Sequence, residues 1–167
     1  MVKNLVLLFL GLMAISSISD SAHASLKADK IIVMKSKHEL FLLNSGQVIG
    51  KYGVSLGKNP KGPKRYEGDN KTPEGNYFIA AKNPNSQYHL ALKVSYPSKE
   101  DLALAQQLGV SPGGDIMIHG SPNQSGWMEK FVYRFKDWTA GCIAVKDEDM
   151  NEIFSLVDAG TPIDIRP

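Results

Sequence analysis

The chain has 167 residues, 43% hydrophobic and 22% charged, with 15 Gly, 9 Pro and one Cys, a composition that fits a single globular domain and excludes a low-complexity or disordered polymer. A formal net charge of +2, with Lys and Arg scattered among acids, leaves no basic tract for nucleic acid. A single cysteine, Cys142, excludes an intramolecular disulfide and a thiolate metal cage.

The first residues combine one cation, Lys3, an apolar run from Leu5 to Ile15, and the small-x-small pattern Ala22-His23-Ala24. This predicts a secretory signal peptide over residues 1–24, because the apolar run is well short of the roughly 20 residues that span a bilayer. The mature domain is then expected at 25–167, exported to the periplasm of a Gram-negative host. An unpaired thiol sent to an oxidising compartment calls for burial or a use.

Lys30 to Met34 and Glu39 to Leu43 read as strands, and Asn44-Ser45-Gly46 turns the chain into a third, Gln47 to Ser55. Leu56 to Thr72, dense in Gly, Pro, Lys and Asn, reads as a long surface loop. Gly75 to Ala81 and Leu90 to Ser95 return to strand patterns. Ser98 is placed to cap a helix through Asp101, with Leu102, Ala105 and Leu108 on one face and Gly109 as its stop. Pro112-Gly113-Gly114 leads into the strand Asp115 to His119, and Cys142 to Val145 reads as a short buried strand. Asp147 is expected to cap a second helix through Val157, with Met150, Ile153, Phe154 and Val157 inward. Thr161 to Ile165 closes the chain as a strand. The expected architecture is mostly β with two packed helices.

His119-Gly120 ends one strand and Gly141-Cys142 begins another, across about twenty residues without a periodic pattern, a length at which loops become suspect as functional. If the two strands are neighbours, His119 serves Cys142 either as a base or as the cation of a thiolate–imidazolium pair. Gly141 permits a tight turn in which its own N–H and that of Cys142 point at a developing oxyanion, while the Gly120 carbonyl fixes the imidazole tautomer. The alternative for Cys142 is a small core residue.

These residues resemble the L,D-transpeptidase catalytic domain (YkuD) family. Asp115-Ile-Met-Ile-His-Gly120 and then Asp-Trp-Thr-Ala-Gly-Cys-Ile-Ala-Val, residues 137–145, match the family's His-Gly and its Ser-His-Gly-Cys with an Arg or Asn two positions on. Lys71-Thr-Pro-Glu-Gly75 with Tyr77-Phe78, and Pro112-Gly-Gly114, fall in the family's order, so the resemblance covers Lys30 to Pro167. It implies a YkuD-like β-sandwich, Cys142 as the acylated nucleophile, His119 as its base, Gly120 as the group orienting the imidazole, and Thr139, Ala140, Gly141 and Cys142 as the oxyanion turn.

By the same resemblance the chain is a thiol transferase of peptidoglycan biosynthesis, cell-wall organisation and cell shape. It attacks the amide at the L-centre of diaminopimelate in stem peptides, releases D-alanine, and passes the acyl group to an amine, forming a 3-3 crosslink or attaching a lipoprotein through its lysine. Two positions depart from the family pattern: Ala140 replaces the His before Gly-Cys, and Ala144 stands at the Arg or Asn. The loss of that Arg removes a partner for a substrate carboxylate. The DWTAGCIAV form is similar to a Gram-negative periplasmic subgroup that includes an amidase releasing peptidoglycan-bound lipoprotein, in which water deacylates the enzyme. A non-catalytic wall-binding domain is the alternative from a different class. Trp138 is expected either to wall the substrate cleft or to pack, and Asp137 and Arg134 either to meet the zwitterionic end of diaminopimelate or to be solvated. Tyr66, Lys64 and Arg65 either contact the glycan or peptide or, as the preferred reading, belong to a plain surface loop. His38 and His89 lack metal-ligand spacing, so no metal is expected, and thiol acyl transfer needs no cofactor.

Overall fold

Strict alternation builds the first strands. In β1 (Lys30–Met34) Ile31 and Val33 are fully buried between half-exposed neighbours, and in β2 (Glu39–Asn44) Leu40 and Leu42 do the same. A 3-10 turn over Lys35–Lys37 joins them and closes on His38, whose φ of 53° lies in the left-handed region. Ser45 and Gly46, both with positive φ, make the two-residue turn into β3 (Gln47–Gly53), the geometry that matches the twist of a hairpin. This computed structural model describes residues 26–129 and 136–167, so the expected signal peptide and Arg134 lie outside the described residues.

The remaining elements are β4 (Gly75–Ser86), β5 (His89–Val94), α1 (Lys99–Leu108), β6 (Met117–His119), β7 (Ile143–Ala144), α2 (Asp147–Leu156) and β8 (Pro162–Arg166). The strand order is β3-β2-β1-β8-β4-β5-β6-β7, antiparallel except for the β1/β8 and β6/β7 pairs. The chain is thus mostly β, as expected. β4 serves both halves of the sheet: Gly75–Phe78 pair with β8, whereas Ile79 onward pairs with β5. Past the end of β3, Ser55 exchanges both backbone hydrogen bonds with Ala144 at 2.8 Å, which ties one edge of the sheet to the other. Ile31, Leu40, Leu42, Leu56, Ile79, Leu92, Ile118, Ile143 and Ile163 fill the enclosed core together with Met150 and Ile153 of α2. Each buried side chain of this kind contributes up to about 1.5–3 kcal/mol.

Several boundaries and faces differ from expectation. β4 runs on to Ser86 and carries the hairpin tip far beyond Ala81. α1 has the expected Ser98–Asp101 capping box and Gly109 stop, but Leu102 and Leu108 are about half exposed and only Ala105 is buried. The reason is Asp101: its carboxylate accepts the Tyr77 hydroxyl at 3.0 Å, so the helix rests on the face shared by Asp101 and Ala105. α2 is capped at Lys146, without a side-chain bond, and Asp147 is its first helical residue. The Asp147 carboxylate accepts the Ser121 N–H at 2.7 Å instead.

The segment from Val54 to Glu74 is irregular but is not a plain surface loop. The buried Lys35 ammonium donates to the carbonyls of Gly62 and Thr72 and to the Glu74 carboxylate, at 2.8–2.9 Å. Lys64 and Asp69 form an ion pair at 2.8 Å with side chains 4% and 2% exposed. Asp69 also accepts the N–H groups of Arg65, Tyr66 and Lys71. Lys64 is therefore an internal fastener, while Tyr66 stays on the surface. Among the described residues no helix is long and apolar enough to cross a membrane.

Candidate active site

Parallel pairing of β6 and β7 sets Ile118 beside Ile143 and His119 beside Ala144. Both isoleucines fill the core, so the alternation of strands turns His119 and Ala144 to the opposite face. Cys142, two residues before Ala144, precedes β7 on that same face. The sheet therefore brings the two expected chemical residues to neighbouring positions. His119 is buried and Cys142 half-buried. The Nδ1–H of His119 donates to the Gly120 carbonyl at 2.7 Å, and because a carbonyl only accepts, Nδ1 holds the proton and Nε2 keeps its lone pair. Gly120 is constrained as well: a Cβ there would lie 2.7 Å from the Asp147 carboxylate and 2.9 Å from the His89 Cβ.

The thiol donates to the Asp115 carbonyl at 3.5 Å. Burial pushes its pKa up; the Met117 N–H, directed at the sulfur, opposes this, Asp115 adds to it and Lys64 offsets it. Burial likewise pushes the His119 pKa down, partly countered by the Gly120 carbonyl. Both shifts favour an uncharged thiol beside an uncharged imidazole at neutral pH, so the arrangement suits proton transfer concerted with attack better than a resting ion pair.

The turn before the thiol is fixed from within. Buried Thr139 uses Oγ1 twice, accepting the Gly141 N–H at 3.0 Å and donating to the Cys142 carbonyl at 2.8 Å. The Gly141 N–H, expected as an oxyanion donor, is thus spent on Thr139. Exposed Ala140 brings no side-chain donor. Gly141 has φ 139°, and a Cβ there would stand 2.7 Å from the Lys71 carbonyl and 3.1 Å from Ile116 Cδ1.

Asp137 accepts the Leu56 N–H at 2.7 Å and contacts His38 Nε2 at 3.0 Å, so its carboxylate is engaged by protein groups. Trp138 meets the His119 ring edge-on with centroids 5.7 Å apart. Tyr88, which the sequence did not single out, is closer: its ring lies 4.7 Å from the imidazole and stacks on Trp138 at 6.2 Å. It carries no local motif and arrives there because the hairpin tip folds over β6. Against Trp138 opens a cleft of about 190 Å³, lined among others by His38, Ser55, Ser121, Ala144, Lys146 and Asp147; Cys142 and His119 are not among its lining residues. Among the described residues no three His, Cys, Asp or Glu side chains converge as a metal-ligand set.

Residues 28–165 match the family model of the L,D-transpeptidase catalytic domain, YkuD. The chain is 27% identical over 113 residues to YafK of Escherichia coli K12, an L,D-transpeptidase-like protein, across 66% of this chain and 38% of that one. The helical cell shape determining protein Pgp2 of Campylobacter jejuni superposes with a TM-score of 0.61 at 24% identity, over 81% of this chain and 46% of Pgp2. An L,D-transpeptidase of Mycobacterium smegmatis gives a TM-score of 0.54 at 16% identity, over 83% and 58% of the two chains. These two likenesses establish the fold. The chain spans about two fifths of the length of YafK and under half of Pgp2.

Proposed function

Because this chain belongs to the L,D-transpeptidase catalytic domain family, we propose that it is an exported cysteine acyltransferase of peptidoglycan stem peptides, with Cys142 as nucleophile and His119 as base. The observation that supports this most is the shared face of β6 and β7, where a half-buried thiol and an imidazole with its lone pair on Nε2 sit one strand apart. In the acylation step sulfur attacks the amide carbonyl at the L-centre of diaminopimelate while the thiol proton passes to Nε2. The carbonyl electrons move onto oxygen, where the Cys142 N–H is the oxyanion donor. Collapse breaks the C–N bond, the imidazolium protonates the leaving D-alanine nitrogen, and a thioester remains. An incoming amine then attacks the thioester and gives its proton to His119. The departing sulfur recovers that proton from the imidazolium.

Trp138, Thr139 and Ala140 bound the donor side in this reading, and the work is done in the periplasm, on the cell wall, with consequences for cell shape. A second reading has water as the acceptor, giving an amidase that releases a peptidoglycan-linked lipoprotein. It is favoured by Ala144, which stands where the family pattern has Arg or Asn and itself brings no cation for a substrate carboxylate, leaving Lys146 as the lysine that lines that cleft. Incubation of the mature protein with sacculi carrying bound lipoprotein, followed by muropeptide analysis, tests both. New 3-3 crosslinks mark transfer, and loss of the attached lysine-arginine remnants marks hydrolysis. Cys142→Ala must abolish either product; processing at the wild-type rate by that variant would rule out Cys142 as the nucleophile, and sacculus binding with no product even from the wild type would leave a wall-binding domain.

A further inference from the structure

Asn123 fastens the tip of the β4–β5 hairpin to the segment after His119 with three hydrogen bonds, two of them from its side chain. Asn123 accepts the His89 N–H at 2.8 Å with Oδ1, donates to the Ser86 carbonyl at 3.0 Å with Nδ2, and gives its own N–H to the Gln87 carbonyl at 2.9 Å. The residue enclosed by these three bonds is Tyr88. Its carbonyl accepts the Gly120 N–H at 3.0 Å, and its N–H donates to Ser86 Oγ at 3.0 Å, so the backbone beneath the ring is fixed to the His119-Gly120 unit itself. The ring then lies tilted at 48° over the imidazole, with centroids 4.7 Å apart, and with Trp138, which meets the imidazole edge-on, completes a three-ring cluster. Its outer side remains 39% exposed and borders a groove formed with Gln87, Pro122, Asn123 and Gln124. Tyr88 is therefore the boundary between solvent and the base.

We propose that Tyr88 is a positioning residue for His119: its ring, locked by Asn123, shuts one face of the imidazole from water and restrains the ring plane in which Nε2 meets the thiol proton. This deepens the acyl-transfer reading and rests on it for the kinetics, but the cover over His119 is testable without any substrate. Aromatic contact and exclusion of water are the functions assigned to the side chain, so the ring matters and the hydroxyl does not. The titratable groups packed around the His119-Gly120 unit are the Tyr88 phenol on the imidazole and, beside Gly120, His89 and the Asp147 carboxylate held by Ser121, with Cys142 just ahead of the neighbouring strand β7.

The test is NMR titration of the His119 ring in the mature protein, in parallel with kcat and KM on muropeptide substrate, for wild type, Tyr88→Ala, Tyr88→Phe and Asn123→Ala. Tyr88→Ala and Asn123→Ala are expected to move the His119 midpoint upward toward the ordinary histidine value of about 6.5. They are expected to lower kcat about tenfold with KM nearly unchanged, as a misplaced base does. Tyr88→Phe is expected to match wild type in both. A His119 midpoint unmoved in Tyr88→Ala and Asn123→Ala, or a Phe variant as impaired as the Ala one, overturns the proposal. If the midpoint moves while no muropeptide is processed even by wild type, it is the acyl-transfer reading that fails and the positioning role that stands.

Discussion

Gly141→Ala tests whether the turn before the nucleophile is as tightly determined as its surroundings imply. The backbone at Gly141 has φ 139°, outside the range that L side chains adopt readily, and imposing it on alanine costs about 1–3 kcal/mol. The new Cβ would also stand 2.7 Å from the Lys71 carbonyl and 3.1 Å from Ile116 Cδ1. The first obstacle is backbone, held next to the Asp69 cluster, so relief must come from moving the turn, at a further 1–3 kcal/mol or so. A total of about 2–6 kcal/mol, at about 3 °C per kcal/mol for a domain of this size, predicts a Tm lower by roughly 6–18 °C. Displacing the thiol by an ångström from His119 further predicts about a hundredfold loss of kcat/KM at temperatures where the variant is folded. Gly114→Ala is the control, since its Cβ would meet nothing within 4 Å and its φ is ordinary. Differential scanning calorimetry and muropeptide kinetics supply the readouts. A Gly141→Ala protein as stable and as active as the control would refute the argument that this turn is wedged.

Two further substitutions probe the irregular segment and the approach to the site. Burial alone would raise the Asp69 carboxyl, but Lys64 and the N–H groups of Arg65, Lys71 and Tyr66 outweigh it and hold its pKa below the usual carboxylate range. A depressed folded pKa means stability that is present above the unfolded value of about 3.9 and is lost as pH falls through the folded one. Asp69→Asn leaves the Lys64 ammonium buried without a counter-charge and is expected to cost about 3–5 kcal/mol at neutral pH in urea melts. Its stability should fall less steeply below about pH 4 than that of wild type, and equal acid slopes would contradict the assignment. Asp137→Ala strands the Leu56 N–H and is expected to cost about 1–3 kcal/mol while KM stays at the wild-type value. A raised KM at unchanged Tm would assign Asp137 to the substrate instead.

What could be read from the sequence was whatever has a local period or a local punctuation mark. Ile31 and Val33, or Leu40 and Leu42, announce their strands by alternation, and Ser98 with Asp101 and Gly109 announces both ends of α1. Two chemical residues next to glycines at strand ends were visible for the same reason. The face of α1 was misread because an apolar stripe at helical spacing does not reveal that Asp101 has a buried hydroxyl to meet. Lys64 reads as loop surface because composition does not report its partner Asp69, although an Asp that collects three nearby N–H groups is a local device. Tyr88 had no signal at all. Its position over His119 follows from the length of β4, the bulges that bend it and the grip of Asn123, none of which has a sequence period.

The tie between Ser55 and Ala144 also bears on when in folding the site first exists. Leu56 and Asp137, one residue further along the same junction, are separated by 81 positions, so joining them closes a very long loop before any contact repays the lost chain entropy. Contacts of such range are slow to form, and β7 itself is only two residues long, too short to hold its place unaided. The pairing of thiol with imidazole is thus a property of the finished molecule and not of any early hairpin. In the acyl-transfer reading, a chain that has not completed this junction carries a cysteine whose strand is not yet tied beside β6, and the thiol's chemistry waits on that closure.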